Sequence, residues 1–418
     1  MNHPAHCAAV DAARRSYGKL IAFLAARTRD VAGAEDALSE AFAAALVGWP
    51  LDGIPNNPEA WLLTVARRKM IDAARQRRSH DGAAEALLLM TELSQHDEDD
   101  TAIPDDRLGL MFACAHPAID VNVRAPLMLQ TTLGFDAATI ASAFLVAPAT
   151  MGQRLVRAKT KIRQAGIPFH VPGRADLRER LDAVLEAIYA AYAEGWADPA
   201  GTEVHRRNLA EEAIWLGRLV ASLLPEEPEA LGLLSLMLHA HARRGARRDA
   251  DGHYVPLAEQ NPALWDAPMI DAAEALLLRA GALGALGRYQ LEAAIQSAHV
   301  VRRRSGHADW AAIERLYDAL LTLTASPVVA INRAIAIAQT RGPAAALHEL
   351  DLIADDPRLA QYQPYWAARA ELLGRIGDVQ AAVRACDQAI GLESDPAVRY
   401  FLQQRRGKLG QTTPRPGY

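Results

Sequence analysis

The sequence predicts an all-α protein: two small helical domains, the second built on a helix-turn-helix, followed by a helical repeat domain. Three observations lead there. Ala, Leu, Arg and Glu dominate, and apolar residues recur at spacings of three and four, the period of an amphipathic helix. Alternating Val, Ile, Thr and Tyr runs closed by Asn-Gly turns are missing. At 418 residues the chain exceeds one ordinary core, so two or three domains are expected.

Charge marks the boundaries. Residues 1–80 hold 11 Lys and Arg against 8 acids, residues 81–106 hold nine acids and no Lys or Arg, and residues 107–170 hold seven bases against two acids. Two basic modules are thus separated by an acidic linker, a distribution that points to nucleic acid in the first 170 residues. Pro and Gly punctuate a second junction from Gly166 to Gly173. Residues 171–410 then read as successive helical hairpins, and 411–418, with Pro414, Pro416 and Gly417, as a loose tail. Half the residues are apolar and 23% are charged, which excludes a disordered chain. The longest uncharged stretch, Ala137–Gln153, is too short and too broken to span a bilayer, and no signal peptide is visible. Cys7, Cys114 and Cys386 are few, odd in number and far apart, as expected of reduced thiols in a cytoplasm.

The first basic module contains two informative helices. From Ala34 to Leu46, the stripe of Leu38, Ala41, Phe42 and Ala45, continued by Trp49, is expected to be buried. Glu35, Asp36 and Glu40 then stay outside as an acidic face, which taken alone is a solvated surface. Asn57, Pro58 and Glu59 supply a cap, a first-position Pro and an acid at the positive end of the next helix. That helix carries Arg67, Arg68, Lys69, Arg75, Arg77 and Arg78, enough cations to neutralise several phosphates. Trp61 upstream is placed to stack on an unpaired base. By themselves these residues fit a core Trp and a basic helix C-terminus better than a nucleic-acid contact.

In the second basic module Asp136 caps a short helix, with Phe135 and Ile140 as its hydrophobic staple. The helix is expected to run to about Phe144; after Leu145-Val146-Ala147, Pro148 opens a second one. Met151, Leu155, Ala158 and Ile162 form its core stripe, while Thr150, Gln153, Arg154, Arg157 and Lys161 fall on another face. Such a face can enter a major groove, its first side chains on base edges and its later cations on phosphates; an ordinary hairpin with a solvated basic face is the alternative.

In the C-terminal body Leu283–Gln290 and Leu373–Gln380 echo one another, and Gly342 and Gly377 lie 35 apart, close to the ~34-residue tetratricopeptide period. Trp366, Ala370, Gly377, Ala382 and Ala389 occupy that repeat's aromatic and small sites, with Gly377 at the turn. Such arrays present concave surfaces to peptides or proteins. Asp249-Ala-Asp251-Gly begins like a calcium loop, but its sixth and twelfth positions are Tyr254 and Gln260. His3, His6 and Cys7 have no second ligand pair, and His239 and His241 cannot share a helix face. No phosphate loop, nucleophile elbow or H-E-x-x-H helix occurs, so neither a cofactor nor an enzymatic activity is expected.

Together the segments Ala34–Leu46, AWLLTVARRKMID from Ala60 and LGFDAATIASAFLVAPATMGQRLVRAKTKIR from Leu133 resemble a sigma factor of the sigma-70 family, of the compact extracytoplasmic-function type. The resemblance covers roughly residues 1–170 and implies a factor that directs core RNA polymerase to promoters and aids DNA melting. It implies that Glu35, Asp36, Glu40 and Phe42 contact the polymerase clamp. Trp61 and the Arg67–Arg78 run would hold the melted −10 strand and upstream duplex, while Thr150, Gln153, Arg154 and Arg157 would face the −35 element. The acidic linker then reads either as a strand in the polymerase's positively charged RNA path or as a spacer. The C-terminal body resembles the tetratricopeptide-like extension of one subgroup, with a regulatory or protein-binding role and no membrane partner. A helix-turn-helix activator with a sensory repeat domain is the other reading.

Overall fold

The computed structural model describes residues 4–77, 106–144, 146–167, 173–196, 204–301 and 306–409. The acidic linker up to residue 105, Leu145 and the tail lie outside the described residues. The described residues form 18 α-helices, three short 3-10 turns and one isolated antiparallel bridge, Arg248 to Tyr254. The all-α class read from the helical periodicity is the class observed. Contacts divide the chain into two compact units, the first running through Trp196 and including Val204–Leu216, the second holding Gly217 onward.

In the first unit the helices are α1 (Pro4–Thr28), α2 (Val31–Asp52), α3 (Pro58–Arg77), α4 (Arg107–Cys114), α5 (Val121–Leu133), α6 (Ala137–Ala143), α7 (Pro148–Ala165) and α8 (Arg174–Trp196). Helix α1 is the axis. Leu20, Ile21, Ala22, Phe23, Leu24 and Ala25 are all 1% exposed or less, so this stretch is covered on every side, as a central helix must be. Helices α2 and α3 pack on it, and so do α4 and α5. Its approach to α5 is close: a Cβ at Gly18 would stand 1.6 Å from the Thr132 carbonyl oxygen. Helix α8 covers α4 and α5, and Arg180 donates to the Phe112 carbonyl at 3.1 Å.

The second unit continues through α10 (Pro228–His241), α11 (Ala267–Ala282), α12 (Arg288–Val300), α13 (Trp310–Thr324), α14 (Pro327–Thr340), α15 (Pro343–Asp351), α16 (Gln363–Ile376), α17 (Val379–Leu392) and α18 (Pro396–Leu409); α9 (Val204–Leu223) belongs in part to each unit. From α12 onward each helix packs on its chain neighbour, the contact pattern of a helical repeat. Gly377 caps α16 in the left-handed region at φ +88°, where a side chain would be strained, and Ala370, Ala382 and Ala389 are buried. At the head of the unit, Glu229 of α10 accepts the Tyr289 and Gln290 amides at 2.9 and 3.1 Å, capping α12 from a neighbouring helix. The carboxylate fits there because Gly287 has no Cβ, which would fall 2.2 Å from the Glu229 Cδ. Glu229→Ala should therefore destabilise this unit by about 2 kcal/mol in urea unfolding, and Glu229→Gln by clearly less. None of the described helices is long and apolar enough to cross a membrane.

Candidate nucleic-acid interface

The N-terminal half of the site is set by two caps. Asp30 accepts the Gly33 amide at 3.0 Å and starts α2, and Asn57 accepts the Ala60 amide at 3.1 Å and starts α3. Glu59, also in that first turn, accepts from Ser16 and pairs with Lys19 of α1 at 3.9 Å. On α2, Leu38, Ala41, Ala45 and Trp49 are buried as expected, while Phe42 is only half-buried. Trp61 is half-buried with its ring edge-on to Trp49, centroids 5.5 Å apart. Arg68 and Lys69 are exposed, and Lys69 meets Glu40 at 2.8 Å, so an expected DNA contact and an expected polymerase contact neutralise one another in the free chain. Lys69 is held above the ordinary lysine range by the hydrogen bond it donates to that carboxylate. Arg67 is half-buried, its guanidinium 5.1 Å from the Phe23 ring centre, and burial lowers its affinity for protons. The side chains of Arg75 and Arg77, and all of Arg78, lie outside the described residues.

The second half is α6 and α7. Asp136 accepts the Thr139 amide at 2.7 Å, a bond that keeps its carboxyl below the usual carboxylate range, and Ile140 is fully buried. Pro148 opens α7, and Met151, Leu155, Ala158 and Ile162 are its buried stripe. With that stripe turned inward, Thr150, Gln153, Arg157 and Lys161 are exposed and Arg154 partly so. They form one polar, cationic face with no acidic residue along the whole of α7.

The two halves are joined. Lys159 of α7 donates to Glu35 of α2 at 2.5 Å, with side chains 13% and 14% exposed, and Arg163 stands 4.0 Å from Asp30. The expected acidic face is therefore corrected at one position: Asp36 and Glu40 are exposed, but Glu35 is covered because α7 packs over it. Burial raises the Glu35 carboxyl above its ordinary range, and the attraction of Lys159 does not offset it. The same burial, with Glu35 and Asp36 nearby, raises the Tyr17 phenol. Lys159, which joins α7 to α2, is a position that the sequence pattern does not single out. Its signal is its place four residues after Leu155, on the flank of the buried stripe rather than on the polar face.

Other chemistry-bearing groups serve the fold. Complete burial pushes the Cys114 thiol up to about 12, against the lowering effect of its contact with Thr131, and none of the three cysteines is disulfide-bonded. His239 is buried, its Nε2 3.0 Å from Glu274, and burial lowers its proton affinity. The ligand atoms of Asp249, Asp251 and His253 lie within 4.8 Å of one another but are exposed. Asp249 already accepts the amides of Asp251 and His253, at 3.0 and 2.8 Å, and so closes the turn that carries the Arg248–Tyr254 bridge.

Residues 13–80 match sigma-70 region 2, and residues 180–281 match a family of unknown function (DUF6596). The chain is 37% identical over 408 residues to an uncharacterized protein of Rhizobium meliloti (strain 1021), covering 96% of this chain and 95% of that one. No solved structure matches.

Proposed function

Because the chain belongs to the same family as the Rhizobium meliloti protein and carries a sigma-70 region 2, we propose that it is an RNA polymerase sigma factor of the extracytoplasmic-function type. A transcription-related, non-catalytic role of the sigma-70 kind follows from region 2 itself. In the finer reading, Asp36 and Glu40, with Glu35 and Phe42, engage core polymerase. Trp61 and the cations of α3 hold the melted −10 strand and its upstream duplex. Helices α6 and α7 act as a helix-turn-helix on the −35 element, with Thr150 and Gln153 at base edges and Arg154, Arg157 and Lys161 on phosphates. The C-terminal unit serves as a tetratricopeptide-like regulatory or protein-binding domain, and no cofactor takes part.

One observation carries this reading: a chain matched to region 2 also presents, on α7, a cationic face opposite a fully buried stripe. The direct test is binding of the purified full-length chain to core RNA polymerase. Asp36→Lys with Glu40→Lys should weaken it at least tenfold, on the order of 1.4 kcal/mol or more, while Asp271→Lys in the second unit leaves it unchanged. If wild type fails to bind polymerase yet binds DNA in a salt-sensitive way, the helix-turn-helix activator replaces this reading.

A further inference from the structure

The last three helices of the second unit leave a cleft. Helices α16 and α17 pack along their length and α17 carries α18, while α16 and α18 make no comparable contact. Between these two lies a cavity of about 540 Å³, within the roughly 300–1,000 Å³ of small-molecule sites. The sequence of α16 makes the room. Ala367, Ala370 and Gly374 line the cavity from successive turns, where longer side chains would close it. Cys386 of α17 and Leu402 of α18 are its buried floor, and the Cys386 thiol donates to the Leu402 carbonyl at 3.5 Å. Phe401 supplies a wall, its ring edge-on to Tyr254 with centroids 5.5 Å apart. At one end Leu409 comes in against Gly374, where a Cβ would stand 2.7 Å from the leucine Cδ2.

Charge at the rim is divided. The two acids of the lining, Glu259 and Glu371, both meet Arg405, the first at 3.5 Å, and so share one cation. One turn further along α16 and α18, Arg375 and Lys408 line the cavity on either side of the Gly374–Leu409 contact. Among the described residues the Arg375 guanidinium is bonded only to the Ala338 carbonyl, at 3.0 Å, which leaves donors for an anion.

We infer that this cleft binds a small anionic amphiphile, an acyl or aromatic carboxylate. Its apolar body lies over Ala367, Ala370, Cys386 and Leu402, and its carboxylate meets Arg375 and Lys408. This goes beyond the sigma-factor reading and does not rest on it. Burial of the apolar body supplies most of the affinity, since the lining is already formed and little has to be ordered. The carboxylate supplies orientation: a guanidinium takes it through paired N–H donors, while exposure at the rim limits what the ion pair adds. A cationic head would face Arg375 and Lys408 directly, because Arg405 already answers both acids. Closure at Gly374 and Leu409 suits a compact molecule rather than a chain that runs through.

The test titrates the full-length chain with decanoate, 2-naphthoate and decyltrimethylammonium, each below the concentration at which it aggregates, by isothermal titration calorimetry. At least one carboxylate should bind saturably at one site per chain, and the ammonium at least tenfold more weakly. Binding of decanoate alone assigns an acyl chain and binding of naphthoate alone an aromatic acid; each supports the proposal. Arg375→Glu with Lys408→Glu should weaken carboxylate binding at least tenfold, and Ala367→Leu should abolish it by filling the cleft. A diazirine analogue of the carboxylate that binds locates the site in the wild-type chain, whether or not these variants fold. On irradiation it should label residues within 367–375 or 401–409. The proposal is overturned if neither carboxylate binds, if the ammonium binds as well as they do, or if the label falls outside these segments. Affinity that falls as chain concentration rises, with a dimer in sedimentation, would make a second copy the occupant and also overturn it.

Discussion

Gly18→Ala should lower the melting temperature of the first unit by roughly 10 °C, corresponding to about 3 kcal/mol for a unit of this size. The added methyl carbon would sit 1.6 Å from the Thr132 carbonyl oxygen and 2.6 Å from its carbon. Both are backbone atoms, so no side chain can turn aside, and α1 and α5 must move apart. The shift acts on the most buried stretch of the unit, since Leu20 to Ala25 follow directly and Thr131 and Thr132 are buried on the opposite side. It also loosens Tyr17 against Gly134, where a Cβ would lie 3.1 Å from the tyrosine ring. Gly152→Ala is the matched control: nothing stands within 4 Å of its Cβ, so replacing a helical glycine there should stabilise by about 0.5 to 1 kcal/mol. Thermal unfolding followed by circular dichroism reads both. If Gly18→Ala melts with wild type, α1 and α5 are not in contact in solution.

The packing of α5 on α1 and of α7 on α2 is where the sequence is least legible. Periodicity along α7 identifies Met151, Leu155, Ala158 and Ile162 as the side that turns inward, and all four are buried. Local chemistry is equally readable: Asp136 and Asn57 cap the helices that follow them, and Gly377 turns the chain after α16. Each of these features is decided within a few residues, by the helical repeat or by orphan amides in a first turn. What an apolar stripe packs against is decided elsewhere. Glu35 and Lys159 are 124 residues apart in the chain, and Gly18 and Thr132 are as remote in kind. Glu35 carries no local mark, because a glutamate on a polar face and a glutamate under a neighbouring helix have the same sequence neighbours, and the place of Lys159 beside the buried stripe does not name its partner. The burial of Leu20–Ala25 on every side does leave a trace, seven apolar residues in succession from Leu20 to Ala26. Glu229 under the start of α12 is a parallel case in the second unit, a cap supplied from 60 residues away.

Reversing Arg154 and Arg157 to Glu should reduce affinity for random-sequence duplex DNA by about a hundredfold at moderate salt. The pair lies on the outward face of α7, Arg157 exposed and Arg154 partly so, while the stripe that holds the helix in place is on the other side. The loss therefore comes from the interface and not from the fold, and an unchanged melting curve checks this. Each reversal removes one phosphate contact and sets an acid against the duplex, so the slope of log affinity on log salt should fall by about 2. Gln164→Glu, one exposed residue beyond Arg163, changes the net charge of the same helix away from the groove-facing positions and should move affinity far less. Gln153→Ala separates positioning from readout. It removes no charge, so the salt slope should stay as in wild type, while the sequences selected from a randomised pool shift at the base pair this side chain faces, by the equivalent of about 1 to 3 kcal/mol. A free-energy loss for Gln164→Glu of about a quarter of that of the double arginine variant, in proportion to the charge changed, would mean that DNA senses only the net charge of the unit. A changed salt slope for Gln153→Ala would mean that α7 lies on the backbone rather than in the groove. The expected pair of results, slope altered by the arginines alone and selectivity by Gln153 alone, is what a helix inserted by its first turns requires.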